Sequence, residues 1–153
     1  MINSNENRKK LRLWHIIVII LLVLVLGGLA AIWVDSGERN ELSALTIENI
    51  DFSNLKDGVY VGEYSGTKGH FRDAAVELTI TGGEIQNIKI LKGALDNNGN
   101  PTELSEGVTI LDLFQKVKNS HSLQVDAISG ATLTSKAHLK ALENALKKAK
   151  EEN

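Results

Sequence analysis

The feature that most limits how this chain can fold is an apolar stretch near its N-terminus. Leu13 to Val34 carries no Asp, Glu, Lys or Arg, and Ile16 to Leu26 is unbroken Ile, Leu and Val. A helix rises 1.5 Å per residue, so about 20 such residues cross the hydrocarbon core of a bilayer. Trp14 and Trp33 stand near the two ends, where amphipathic rings favour the membrane interface, and His15 sits beside Trp14 at the same level. The stretch is therefore expected to be a transmembrane anchor over residues 13–34. A cleaved signal peptide is the competing reading, because Gly28-Leu29-Ala30 offers a small-x-small site. The apolar run is long for a signal peptide, and Ile32-Trp33-Val34 continues it past that site.

Charge is divided across this segment. Before Asp35 stand Arg8, Lys9, Lys10 and Arg12 against Glu6, a net of 4 − 1 = +3; from Asp35 onward 13 basic and 18 acidic residues give −5. The positive-inside rule then puts residues 1–12 in the cytoplasm and the remainder outside, a single-pass protein of the cell membrane with lipid around its N-terminal helix. A mildly acidic domain is not built to grip nucleic acid phosphates. The 153 residues include no cysteine, which removes disulfides, thiol nucleophiles, thiolate-held iron–sulfur clusters and thioether-linked haem. Any redox centre must be organic or held by other residues.

Residues 35–56 read as a stalk. Ser36-Gly37-Glu38-Arg39-Asn40 does not continue an apolar helix comfortably, and Asp51-Phe52-Ser53-Asn54 is rich in turn formers. A domain over residues 57–153 follows. Val59 to Tyr64 reads as a strand with Tyr60, Gly62 and Tyr64 on one face, and Ser65 to Arg72 as a polar loop. Val76, Leu78 and Ile80 alternate with period two, Thr81-Gly82-Gly83-Glu84 is a tight turn, and Ile85 to Leu91 returns. Val108 to Val117 reads as a short helix with Val108, Leu111, Leu113 and Phe114 inward, and Leu123-Gln124-Val125 as a further strand. Thr132 to Lys150 is the clearest helix, with Leu139, Leu142 and Leu146 at helical spacing and Ala141, Ala145 and Ala149 beside them. The predicted fold is α+β, a small antiparallel sheet packed by a long C-terminal helix and a shorter one.

The stretch that carries chemistry is Asp126-Ala127-Ile128-Ser129-Gly130-Ala131-Thr132-Leu133-Thr134-Ser135, which leads into the last helix. Its residues are small or hydroxylated, and Gly130 lets a ligand approach the backbone. Unpaired N–H groups and the positive end of the helix dipole suit a phosphate there, and Thr132 adds a hydroxyl. Ser, Thr and Asp are also ordinary helix N-caps, so composition alone leaves both readings open.

Asp-x-x-Ser-Gly-Ala-Thr followed by Thr-Ser resembles the flavinylation motif of the FMN-binding domain family. Members include the C subunit of sodium-pumping NADH:quinone oxidoreductase, the G subunit of the Rnf complex and small extracytoplasmic flavoproteins. Asp57-Gly58-Val59-Tyr60-Val61-Gly62 and Gly83-Glu84-Ile85-Gln86-Asn87-Ile88 resemble the family's first strand and its hairpin. The resemblance implies FMN, donated from FAD by a flavin transferase and held as a phosphoester on Thr132. Asp126 maps onto the motif's acidic residue, and Ser129, Gly130, Ala131, Leu133, Thr134 and Ser135 complete the site. It further implies an electron carrier rather than an enzyme, served by a membrane donor such as a quinone or NADH dehydrogenase. The alternatives are a non-covalent FMN-binding or flavin-sensing module, and a structural subunit with a vestigial site.

Other features read as structural. Ser65-Gly66-Thr67-Lys68 matches S-x-x-K, but it sits in a glycine-containing loop without a partner K-T-G. Asp96 to Asn100 lacks the glycine and glutamate placement of an EF-hand and reads as a turn. His70, His121 and His138 lack metal-ligand spacing and default to the surface. Tyr60 and Tyr64 are expected either to border a flavin ring or to be half-exposed sheet residues. Lys136 and Lys140 carry charges suited to neutralising a phosphate, but are expected on a solvated helix face.

Overall fold

The computed structural model describes residues 4–151, with side chains described from Leu13 to Lys150 apart from residues 31 and 34. The side chains of the basic N-terminal cluster lie outside that set. The elements run α1 (Ser4–Ala44), β1 (Gly58–Tyr64), β2 (Ala74–Thr81), β3 (Glu84–Lys92), α2 (Ile110–Ser120) and α3 (Thr132–Glu151). The α+β expectation is met.

The alternation of Val76, Leu78 and Ile80 makes β2 the centre of a 3-stranded antiparallel meander, β1-β2-β3. Tyr60 pairs with Leu78 and Gly62 with Val76 on one side, and Leu78 pairs with Ile88 on the other. These residues share one face because side chains in a strand alternate, and all are buried. Against that face lies α3, whose Leu142, Ala145 and Leu146 are fully buried. Gly62 sets the spacing: a Cβ there would stand 2.0 Å from the carbonyl oxygen of Ala141. Strand and helix therefore touch backbone to backbone. Ile110, Leu113, Phe114 and Val117 of α2 complete the same core.

Four expectations are corrected. The short helix begins at Ile110, not Val108. Thr109 is extended as its N-cap, and Val108 is held by its carbonyl, which accepts the Leu104 N–H at 2.9 Å. Leu111 faces solvent. Residues 123–125 are not a strand, since no ladder forms there, although Leu123 plugs the core. The helix expected to end near Val34 continues through Ser36–Asn40 to Ala44. Its last turns are held by side chains from the domain: buried Glu38 accepts the Arg72 N–H at 2.8 Å and meets its guanidinium at 2.6 Å, and Leu42 enters the core. Residues 42–55 add Phe52 and Leu55 to that core.

Within α1, Leu13–Ala44 is a helix long and apolar enough to cross a membrane. Its apolar side chains, such as Leu24 and Trp33, are exposed.

Candidate functional site

The passage from α2 to α3 crosses the molecule without regular structure and closes in a turn at Ile128–Ala131. The Ala131 N–H donates to the Ile128 carbonyl at 2.9 Å. Gly130 takes φ 76 at the third position, where a positive φ favours glycine. A Cβ on Gly130 would meet nothing within 4 Å, so the backbone here faces open space.

A buried hydroxyl fixes the turn to the helix. Ser135 is fully buried. Its Oγ accepts the Ile128 N–H at 3.1 Å and donates to the Ala131 carbonyl at 3.0 Å. Thr132 differs from it: as the first residue of α3, it is exposed. The first-turn N–H groups of a helix lie outside its internal ladder, so Thr132 presents a hydroxyl beside donors and the positive dipole end. Leu133 and Ala131 pack against the core, which turns Thr132 outward. The carbonyl of Thr134 accepts from His138 Nδ1 at 2.8 Å. Ser129 and Gly130 are exposed with Thr132. Asp126 is exposed and lines a groove of about 520 Å³ with Lys116, Asn119, Ser120, Gln124 and Val125. Ser135 fixes the loop.

Several side chains are placed differently from expectation. His138 is not at the surface: it is 1% exposed. Its Nε2 accepts the Ala94 N–H at 3.2 Å, which ties α3 to the end of β3 and fixes the tautomer with hydrogen on Nδ1. Burial holds its pKa below the usual imidazole value, against the opposing bond to the Thr134 carbonyl. The signal was present, since His138 lies one turn before Leu142 on the inward stripe. Tyr60 and Tyr64 are buried core residues, so neither offers a face to a ring. Burial, then the nearby Glu41 carboxylate, pushes the Tyr64 hydroxyl up to about 12. Lys136 is not simply solvated: its Nζ donates to the Ser43 and Leu45 carbonyls at 2.7 and 3.2 Å. Lys140 reaches buried Glu143 at 2.8 Å.

The remaining motifs make local contacts. Thr67 and Lys68 of the S-x-x-K match donate their N–H groups to Glu41. Asp96 accepts from Asn98 and Asn100 within its turn. Among the described residues no group of three or more acidic, His or Cys side chains could hold a metal.

The α+β domain displays a Ser-Gly-Ala-Thr turn at the start of its long helix, and its class is given by the family it matches. The FMN-binding domain family matches residues 69–147, from the loop before β2 into the last turns of α3 and across the whole Asp126–Ser135 segment. The chain belongs to that family and is a flavoprotein. No curated protein matches the chain. Among solved structures, the CPE2226 protein from Clostridium perfringens is similar at 23% identity and a TM-score of 0.46, covering 63% of this chain and 90% of that one.

Proposed function

We propose that this protein is a membrane-anchored, extracytoplasmic electron carrier that holds FMN covalently on Thr132. The observation that carries the reading is the contrast within one helical turn: Ser135 is buried and committed to the loop, while the Thr132 hydroxyl is exposed. The surroundings suit the group. Gly130 leaves open space beside the backbone, and the first turn of α3 supplies unpaired N–H donors for a phosphate.

The attachment balances as a phosphoryl-group transfer catalysed by a separate flavin transferase. Thr132 Oγ1 attacks the flavin-side phosphorus of FAD. The pyrophosphate P–O bond breaks, AMP leaves, and the hydroxyl proton is lost. When bound, FMN supplies the redox chemistry. The chain's own part is placement: Ser135 stitches the turn to α3, His138 ties α3 to the end of β3, and α1 ties the domain to the membrane. A membrane donor such as a quinone or NADH dehydrogenase supplies the electrons.

The test is intact-mass and peptide mass spectrometry of the full chain co-expressed with a flavin transferase. The expected product is heavier by FMN minus water, with the addition on Thr132. Thr132→Ala and Thr132→Val abolish it, because neither offers an oxygen nucleophile, and Thr132→Ser retains part. Undiminished labelling of Thr132→Ala would sink the assignment. Yellow colour lost on denaturation, with no covalent mass, would favour non-covalent FMN.

A further inference from the structure

The loop between β1 and β2, residues 65–73, is held in shape by carboxylates. Glu41 accepts the N–H groups of Thr67 and Lys68, each at 3.0 Å. Glu38 accepts that of Arg72, and Asp73 accepts that of Gly66 at 3.0 Å. Burial opposes the charge on Asp73, yet Lys92 and the donors around it bring its pKa down to about 2. A loop so constrained could have turned its one large apolar side chain inward. Instead Phe71 is 71% exposed, flanked by His70 and close to exposed Lys68.

Its position along α1 gives that exposure a meaning. The Arg72 guanidinium meets Asp35 at 3.2 Å. A Cβ on Gly37 would lie 3.1 Å from Lys68 Cβ, so loop and helix are in contact. Asp35 is the first charged residue after the apolar span, and Trp33, 80% exposed, precedes it by two positions. At 1.5 Å per residue, Gly37 stands only about 5 Å beyond Val34. The headgroup layer on each side of a bilayer is about 5–7 Å deep. The loop therefore lies at the level of the interface, where aromatic side chains and snorkelling lysines are favoured.

We propose that residues 67–71 form a second membrane contact. Phe71 enters the interfacial layer of the bilayer that α1 crosses, and Lys68 meets the headgroups. The occupant is lipid because the patch continues the surface of the anchor itself. The proposal rests on reading α1 as an uncleaved membrane helix. Two attachments fix how the domain stands on the membrane, which a single helix would leave free to tilt. The flavin end is fixed with it. Asn144 bonds the Glu63 carbonyl and Lys148 that of Val61, so α3 runs antiparallel to β1. Its N-terminus, with Thr132, lies at the end of the sheet that carries this loop.

The chain lacks cysteine, so single labels can be placed in the full-length protein. Phe71→Cys, Ile32→Cys and Glu84→Cys, each carrying nitrobenzoxadiazole, are reconstituted into phosphatidylcholine–phosphatidylglycerol vesicles. Ile32 lies in the span, and Glu84 is exposed on the hairpin at the opposite end of the sheet. The expected result is blue-shifted emission at 71 and 32, protection of both from iodide, and quenching at 71 by lipids spin-labelled high in the acyl chain. Position 84 stays open to iodide. Accessibility at 71 with protection at 32 overturns the proposal and leaves the anchor standing. Accessibility at both overturns the anchor and the proposal together. Protection at 71 in native membranes but not in lipid vesicles also overturns it, and points to a protein surface instead.

Discussion

Ser135 and Thr132 stand three positions apart at the start of one helix and have opposite roles. Removing the Ser135 hydroxyl leaves the Ile128 N–H, in a buried setting, without its acceptor. Such a loss costs about 1–3 kcal/mol. Ser135→Ala is therefore expected to lower the unfolding free energy by that amount, and the denaturant midpoint with it, while Thr132→Ala, at an exposed position, leaves the midpoint nearly unchanged and removes the flavin mass. A midpoint unmoved by Ser135→Ala would remove the stitch. His138 makes a second residue-scale prediction. Its folded pKa lies below the ordinary value of 6.5, with burial the chief cause. The unfolded chain therefore binds a proton that the folded one resists. The resulting stability is complete above about pH 6.5 and declines as pH falls below that value toward the folded pKa. Chemical denaturation at pH 7 and pH 5 should show this loss in the wild type and a smaller one in His138→Gln. Equal losses in both would place the sensitivity elsewhere.

At the scale of elements, the hairpin between β2 and β3 was legible because its geometry is local. Gly82 and Gly83 take φ 64 and 76, the paired positive values of a tight two-residue turn. Replacing both with Val should destabilise the domain by more than about 1 kcal/mol through backbone strain. An unchanged denaturant midpoint would count against the strain. The contact between β1 and α3 has a different origin. At Gly62 a Cβ collides with the Ala141 carbonyl and with Ala145, so Gly62→Ala must push strand and helix apart. A loss of at least about 1–3 kcal/mol is expected, visible as a lower thermal midpoint. The strand expected at residues 123–125 failed for the complementary reason. Its residues have strand-like character, but a strand exists only through a ladder, and none is available at that place in the fold. The end of α1 was misjudged because Gly37 and its polar neighbours weaken an isolated helix, whereas here Arg72 and the Thr67–Lys68 backbone supply partners for Glu38 and Glu41.

At the scale of the whole molecule, a helix long and apolar enough to cross a membrane runs directly into the flavin-binding domain. The basic cluster before Leu13 predicts an N-in orientation for the proposed carrier. A reporter fused after Asn153 should be active only if it works outside the cytoplasm, and activity of a cytoplasm-only reporter there would reverse the orientation. The apolar span, the meander, the long helix and the Ser-Gly-Ala-Thr turn are legible from the residues alone. Each is written in local spacing: an unbroken apolar run, period-two alternation, helical recurrence of leucine, glycine where φ must be positive. Tertiary structure alone decided which polar side chains are committed. Ser135 is buried while Thr132 is exposed, His138 joins α3 to β3, Tyr60 and Tyr64 lie inside, and Glu38 clamps α1 to the loop that carries Phe71. Those assignments depend on partners distant in sequence, because a polar group's role is set by what shares its burial and not by its neighbours along the chain.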